Sequence, residues 1–405
     1  MNITLNKLSA LKALRFLRSK GIDVARLPRV SLSVPDASPR TRWTKSILSF
    51  ESLGLASPTE ASPLQVAVPS EGSRIRARSV SNTIYEKSLP EKSFLSVGDG
   101  VSISSPEMLF VELGQELHPV AHLLLGLELC GTYEAGGSFG RFPATSADRI
   151  KRFVEEASPI AGVKQTRRVS RMLVDNAWSP MEAVLAALIM LPASDMGYGL
   201  GKVVLNKRVE VGAPAGAPQS RVPDIMVEGS SVGINYDGSG HLELERIVSA
   251  AMRAALDPAS GDVTTAIDEA LAKVRAKYVD DRRRDRDLLA EGLTVFTAVK
   301  EDLYERGALD RLMLQLISAL EVETGKTYPK THAALKSRGL SSMRQKHIWA
   351  LLPGTTGERA RAELAASKAA RDLVVRDVWL ERGLSGAIEI VNESEGLIRI
   401  PAEKH

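Results

Sequence analysis

Three acidic residues in the middle of the sequence stand where structural elements are predicted to begin or end. Glu182 follows Ser179-Pro180, a pair typical of the first turn of a helix. Asp224 lies in an apolar segment that predicts a strand, and Asp237 closes the next such segment. Mg²⁺ takes oxygen ligands from one or two carboxylates and fills its other positions with water. The pattern therefore predicts a divalent-ion site suited to phosphodiester hydrolysis.

Each candidate residue also has a structural interpretation. A carboxylate in the first turn of a helix interacts favourably with the helix dipole, and Glu182 fits that role equally well. Asp237-Gly238 is a common turn pair. Asp224 is harder to explain in this way, because an acid inside an apolar strand is costly unless it is paired or bound to metal. His241, four residues after Asp237, fits a site residue or a surface or capping histidine.

The elements that must position these residues are predicted in the order α-β-β-β-α-β. They are a helix at 180–191, strands at 203–211, 221–227 and 232–236, a helical region at 242–291 with a break near 258–262, a strand at 293–299 and a helix at 301–321. Consecutive strands followed by a helical crossover predict a mixed sheet flanked by helices. The predicted fold class is therefore α/β (α+β).

The motifs in this region resemble those of the PD-(D/E)XK nuclease superfamily, and within it the very-short-patch-repair-like endonuclease domains. In chain order they are Ser179-Pro180-Met181-Glu182, Pro223-Asp224, Ile234-Asn235-Tyr236-Asp237-Gly238 with His241, Asp281-x-x-Arg284, and Gly292-Leu293-Thr294-Val295. Each motif is short, and it is their joint order that is specific. The resemblance covers under a third of the chain.

The resemblance implies a metal-dependent DNA endonuclease with a restriction-endonuclease-like core and Mg²⁺ (or Mn²⁺) as cofactor. It implies that Glu182, Asp224, Asp237 and His241 are catalytic, and that Glu182, Asp224, Asp237 and the residue at position 235 hold the metal. The family pattern has Glu where this chain has Asn235. An amide oxygen can bind an ion but brings no negative charge, so we expect weaker ion binding and weaker activity.

Arg284 lies in the mixed-charge run 280–287, for which two interpretations remain open. The run fits a solvated helix face with internal ion pairs. It also fits a phosphate-binding role for Arg284 beside the acidic site, because a guanidinium forms charge-assisted hydrogen bonds to phosphate.

The N-terminal half resembles antitoxin-like regulators of the AbiEi kind, on residues 63–69 and 99–107. The sequence thus divides into an N-terminal α+β domain (1–145), a basic helical connector (146–178), a nuclease-like domain (179–325) and a C-terminal extension (326–405). Two functions are predicted. The first is a metal-dependent DNA endonuclease in a phage-defence or toxin–antitoxin-like setting, and the second is a non-catalytic DNA- or protein-binding regulator that retains the nuclease fold.

The composition narrows the class of protein. The 405 residues carry a net charge of +4 and one cysteine, Cys130, which excludes an internal disulfide and a cysteine-based zinc site. No apolar run is long enough to span a bilayer, and the N-terminus lacks the pattern of a signal peptide, so a cytoplasmic protein is predicted. His118 and His122 are predicted to be core or capping residues, not metal ligands.

Overall fold

The computed structural model describes residues 2–35, 49–87, 89–133, 142–157, 163–211, 219–238, 262–352 and 354–365, and three short strands between 374 and 399. Helices and mixed sheets occur together, which confirms the α+β class. The chain forms two compact units, Met1–Gly197 with Lys346–His405, and Tyr198–Gln345. The division falls after Gly197, so the helix that carries Glu182 belongs to the first unit.

The first unit contains a six-stranded sheet in the order β2-β5-β6-β1-β3-β4. Its strands are β1 (Ile3–Leu5), β2 (Arg29–Val30), β3 (Leu64–Val68), β4 (Val80–Ile84), β5 (Phe94–Gly98) and β6 (Val101–Ser104). The pairs β1/β6 and β3/β4 are parallel, and the other neighbours are antiparallel. Gly98, Asp99 and Gly100 all have positive φ (103°, 49° and 74°), which explains the Gly-Asp-Gly sequence of the turn between β5 and β6.

Six helices of the first unit precede residue 197 in the part of the chain that the structure describes. They are α1 (Lys7–Ser19), α2 (Pro106–Glu112), α3 (Pro119–Leu129), α4 (Ala147–Glu156), α5 (Val163–Ser170) and α6 (Pro180–Met190). The hydroxyl of Ser105 accepts a hydrogen bond from the Met108 N–H at 3.2 Å and so caps the start of α2. His118 caps α3 and His122 is buried against the Phe110 carbonyl at 2.8 Å, so neither is placed as a metal ligand.

The second unit is built on a four-stranded sheet in the order β12-β11-β10-β7. Its elements are β7 (Val203–Leu205), β8 (Val209–Val211), β9 (Gln219–Arg221), β10 (Ile225–Val227), β11 (Val232–Asp237), α7 (Asp262–Ala290), β12 (Thr294–Val299), α8 (Lys300–Tyr304), α9 (Ala308–Thr324) and α10 (Pro329–Lys336). Strand β10 is antiparallel to β7 and β11, and β12 is parallel to β11. Strands β8 and β9 form a separate pair.

Two of the predicted strands are each divided in two. The strand predicted at 203–211 is interrupted at Asn206, whose φ of 50° is incompatible with a continuing strand. The strand predicted at 221–227 is interrupted at Pro223, which has no N–H to donate to a neighbouring strand. Both predictions were therefore too long, although β7 and β10 lie within them.

The chain continues through α11 (Arg338–Ala350) and α12 (Gly354–Ala365) to a three-stranded sheet. Strands β14 (Ile388–Val391) and β15 (Ile398–Arg399) both pair with β13 (Val374–Asp377), antiparallel. Strand β13 therefore lies between β14 and β15, which do not pair with each other.

A buried carboxylate, Glu112, caps the start of α1 in the first unit. Its Oε2 accepts the Lys7 N–H at 3.0 Å, and its Oε1 accepts the hydroxyls of Tyr85 at 2.7 Å and Ser104 at 3.0 Å. Burial raises the pKa of Glu112 from 4.5 to about 7, although these hydrogen bonds and the Lys7 charge oppose the shift. The folded protein therefore binds this proton more tightly than the unfolded chain does.

We expect the stability of the first unit to fall as the pH rises. The contribution of Glu112 is fully present below pH 4.5 and is lost by about pH 7, a total of about 3 kcal/mol at 1.36 kcal/mol per pKa unit. Urea unfolding followed by tryptophan fluorescence reports on this unit, because both tryptophans that the structure describes, Trp178 and Trp349, belong to it.

The variant Glu112→Gln should show a flatter dependence on pH than the parent between pH 4.5 and 7. The exposed Glu60, paired with Arg78 at 3.7 Å, offers the matched control Glu60→Gln, which should follow the parent. Equal pH dependence in Glu112→Gln and the parent would contradict this account of Glu112.

Candidate functional site

The start of β10 and the end of β11 lie at the same edge of the second unit's sheet, because these strands are antiparallel with Ile225 opposite Ile234. Asp224 directly precedes β10, and Asn235 and Asp237 belong to the last three residues of β11. The structure therefore brings these three predicted site residues together at one end of two neighbouring strands.

Residues of β11 hold both the backbone and the side chain of Asp224. Its backbone N–H donates to Asn235 Oδ1 at 3.0 Å, and its carboxylate Oδ2 accepts the Tyr236 N–H at 2.6 Å. The carboxylate thus has a fixed position at the sheet edge, which answers how an acid is tolerated in this apolar segment.

Asn235 is almost fully buried, with 1% of its surface exposed. Its amide oxygen is engaged by Asp224, and its Nδ2 has no hydrogen-bond partner among the described residues. In this structure Asn235 positions Asp224. The residue does not direct an additional charged oxygen toward the sheet edge.

Asp237 forms an ion pair with a lysine that the sequence interpretation had not singled out. Lys277 in α7 places Nζ 3.3 Å from Asp237 Oδ1, and each of the two side chains is about one third exposed. Lys277 precedes Asp281 by four residues and Arg284 by seven, so the three share one face of the helix. This spacing is the signal from which Lys277 could have been found.

Arg284 is the basic residue predicted to bind phosphate. Its Nη2 lies 3.8 Å from Asp281 Oδ1, and its Nε is buried without a hydrogen-bond partner among the described residues. A second arginine, Arg221, ties β9 to α7 through Asp287 at 2.8 Å and Asp280 at 3.2 Å. The mixed-charge run therefore contains both internal ion pairs and a cation that acts on the acidic site.

The carboxylates of the site influence each other electrostatically. Burial raises the pKa of Asp224, the Tyr236 N–H and the Arg284 charge oppose this, and the Asp237 charge adds to it. Burial also raises the pKa of Asp281, opposed by Arg284 and Lys277 and supported by Asp237. Negative charges that disfavour each other in this way are stabilised by an added cation.

Two other predicted site residues are not among the described residues of the second unit. Glu182 belongs to the first unit, where it is 8% exposed and its Oε2 accepts the Trp178 N–H at 2.9 Å. Its own N–H donates to the Ser179 hydroxyl at 3.2 Å, so Ser179 caps the helix and Glu182 lies in its first turn, as the helix-dipole interpretation requires. His241 lies outside the described residues.

The donor set fits one hard ion at Asp224 and Asp237. A Mg²⁺ ion that keeps several waters needs only one or two protein carboxylates, which these two residues provide, and a substrate phosphate would complete its ligands. A group of three or more His, Cys, Asp or Glu side chains arranged for a metal does not occur among the described residues. The two carboxylates therefore fit a weakly held ion better than a closed metal cage.

The chain matches no protein-family model, no curated protein and no solved structure. Within the described ranges, none of the helices has both the length and the apolar character needed to cross a membrane. The second unit is therefore described by its own structure. It is a mixed four-stranded sheet with a cluster of acidic and basic side chains at one end of its inner strands.

Proposed function

We propose that the chain is a DNA-directed, nuclease-like protein whose second unit binds phosphodiesters and hydrolyses them weakly in the presence of Mg²⁺ or Mn²⁺. The observation that carries the proposal is the meeting of Asp224 and Asp237 with Lys277 at one sheet edge. The sheet order β12-β11-β10-β7, with a parallel last pair after the α7 crossover, supports the βββαβ part of the arrangement that the PD-(D/E)XK resemblance implies.

The basic residues of α7 support the choice of a phosphodiester as substrate. Lys277 pairs with Asp237, and the charge of Arg284 lowers the pKa of Asp224. Each carboxylate therefore has a cation of α7 near it. A phosphodiester needs positive charge beside its oxygens and a carboxylate that orients water near its phosphorus. The cluster offers both kinds of group.

The proposed chemistry places Asp224 and Asp237 as the residues that would hold the ion. When bound, a divalent ion would polarise a phosphoryl oxygen and neutralise developing charge. Asp224 keeps its carboxylate in place through the Tyr236 N–H, and Arg284 supplies a fixed positive charge beside it. Because Asn235 contributes no charge, we expect the ion to bind weakly and hydrolysis to be slow.

A second function, DNA or protein binding without hydrolysis, is favoured by one specific observation. The amide oxygen of Asn235 is engaged by the Asp224 N–H, and Lys277 is already paired with Asp237. Both contacts engage oxygen atoms that would otherwise be ligands for an ion. A regulator that retains the nuclease fold would use the same cations to hold DNA.

Cleavage of supercoiled plasmid with Mn²⁺ distinguishes these two functions. We expect slow nicking by the parent protein and a rate at least about tenfold lower for Asp224→Ala, in the range seen when a metal site loses a supporting group. The matched control is Asp285→Ala, which removes a half-exposed acid of α7 paired with Arg282 at 3.9 Å. Equal cleavage by Asp224→Ala and Asp285→Ala would contradict the proposed site. DNA binding without any cleavage would leave the second function.

A further inference from the structure

We infer that Lys277 is a built-in cation of this site, whose ammonium takes the place at Asp237 that a divalent ion would otherwise occupy. DNA phosphates would then bind without any divalent ion, and an ion would bind only by displacing the ammonium. This inference rests on the proposed function, and it names the phosphodiester backbone of DNA as the ligand of the metal-free site.

The contact between Lys277 and Asp237 has the geometry that such a role requires. Their 3.3 Å separation is an ion-pair distance, and side-chain exposures of 33% and 31% place the pair at a surface that a ligand can reach. An ammonium is a compact charge with three N–H donors, so it can bridge a carboxylate and a phosphate oxygen.

The charges of the site also favour binding without a metal. Three carboxylates of the cluster, those of Asp224, Asp237 and Asp281, face the charges of Lys277 and Arg284. A carboxylate at position 235 would add a further negative charge, and two cations would no longer come close to neutralising the group. With Asn235 in that position, the basic residues of α7 almost balance the acids without a metal.

Two donors of the site lack acceptors among the described residues, namely Asn235 Nδ2 and Arg284 Nε. A buried donor without an acceptor leaves its positive end uncompensated in a medium of low dielectric constant. Both groups therefore make the local potential more positive. This favours an anionic ligand such as a phosphodiester over an additional metal cation.

Two measurements on the full chain test this role. The first is the anisotropy of a labelled DNA duplex in EDTA, and the second is Mn²⁺ binding followed by electron paramagnetic resonance without DNA. For Lys277→Gln we expect DNA binding in EDTA to weaken by about tenfold, as for a lost charge-assisted contact. We expect Mn²⁺ binding by the same variant to tighten, because the competing ammonium is gone.

The control variant is Lys273→Gln, which removes an exposed lysine one turn earlier in α7 and changes net charge equally. We expect it to weaken DNA binding less than Lys277→Gln and to leave Mn²⁺ affinity unchanged. Lys277→Arg keeps the charge and should retain DNA binding in EDTA, which guards against a general folding defect. A purely structural lysine would not produce opposite changes in DNA and Mn²⁺ affinity.

Three outcomes would overturn the inference. The first is an Mn²⁺ affinity of Lys277→Gln that is unchanged or lower than that of the parent. The second is DNA binding by the parent that requires Mn²⁺, which would remove the metal-free role but leave the proposed function intact. The third is an absence of DNA binding with and without Mn²⁺, which would overturn the proposed function as well.

Discussion

Replacing Asp310 by alanine is expected to destabilise the second unit by about 3 to 5 kcal/mol, the usual effect of removing one partner from a buried ion pair. Asp310 Oδ1 accepts hydrogen bonds from the Arg344 guanidinium and the Tyr198 hydroxyl, each at 2.8 Å, and Oδ2 accepts the Ser341 hydroxyl at 2.6 Å. Arg344 is 2% exposed and Tyr198 is fully buried. Without Asp310 a buried guanidinium would remain uncompensated.

The consequence should extend to the functional site. Asp310 lies in α9, which packs against β11 and β12, the strands at the centre and edge of the site sheet. Hydrogen exchange of peptides from β11 and β12 measures the free energy of opening of this region. We expect exchange to accelerate strongly in Asp310→Ala.

The exposed pair of Arg282 and Asp285, 3.9 Å apart, provides the control for this effect. Asp285→Ala should change the opening free energy by less than about 1 kcal/mol, because exposed ion pairs contribute little. If β11 and β12 are as well protected in Asp310→Ala as in Asp285→Ala, the network around Asp310 does not stabilise the sheet.

Replacing Asn235 by glutamate is expected to make the stability of the second unit depend on Mn²⁺. Position 235 is 1% exposed and adjacent to Asp224, so a new carboxylate there has little solvent and a negative neighbour. We expect a loss of about 3 kcal/mol in EDTA, in the range for an uncompensated buried charge. Mn²⁺ should restore most of it, since a ligand that binds only the folded state stabilises it. The same variant should cleave DNA faster than the parent.

Asn235→Gln is the matched control, because it has the length of glutamate without its charge. Thermal unfolding with EDTA and with Mn²⁺ separates the two effects. A rise in melting temperature with Mn²⁺ in Asn235→Glu and none in Asn235→Gln is the expected result. Equal responses of the two variants to Mn²⁺ would mean that the missing charge does not limit ion binding.

Two strands of the site sheet, β11 and β12, were predictable to within a residue, whereas the strand predicted around β10 was too long. Strand β11 was predicted at 232–236 and runs over Val232–Asp237, and β12 was predicted at 293–299 and runs over Thr294–Val299. Both are short apolar runs that follow turn residues, and Gly292 before β12 has a φ of 77°. The meeting of Asp224 with Asp237 followed from the predicted pairing of consecutive strands.

The unit to which the helix with Glu182 belongs was not predictable from the sequence. Helix α6 is apolar around most of its circumference, and such a helix can be buried equally well by different neighbours. Helix α6 packs against α3 in the first unit, and the place of Glu182 in its first turn fits the helix-dipole interpretation of the sequence. The predicted metal role of Glu182 remains a prediction.

The partnership of Lys277 with Asp237 depends on how α7 lies across the sheet. Forty residues separate the two side chains in sequence, and charged residues are frequent throughout α7. Periodicity shows which residues share a face of the helix, but it does not show which face meets the end of β11. Lys277 could therefore be grouped with Arg284 from spacing alone, whereas its ion pair required the folded structure.

Crystals of the intact chain grown with Mn²⁺ and a short DNA duplex would test the central claim most directly. We predict an anomalous peak for Mn²⁺ between the carboxylates of Asp224 and Asp237, with a DNA phosphate beside Arg284 and the Lys277 ammonium moved away from Asp237. A duplex bound elsewhere, with the start of β10 and the end of β11 left uncovered and no Mn²⁺ at Asp224, would contradict the account.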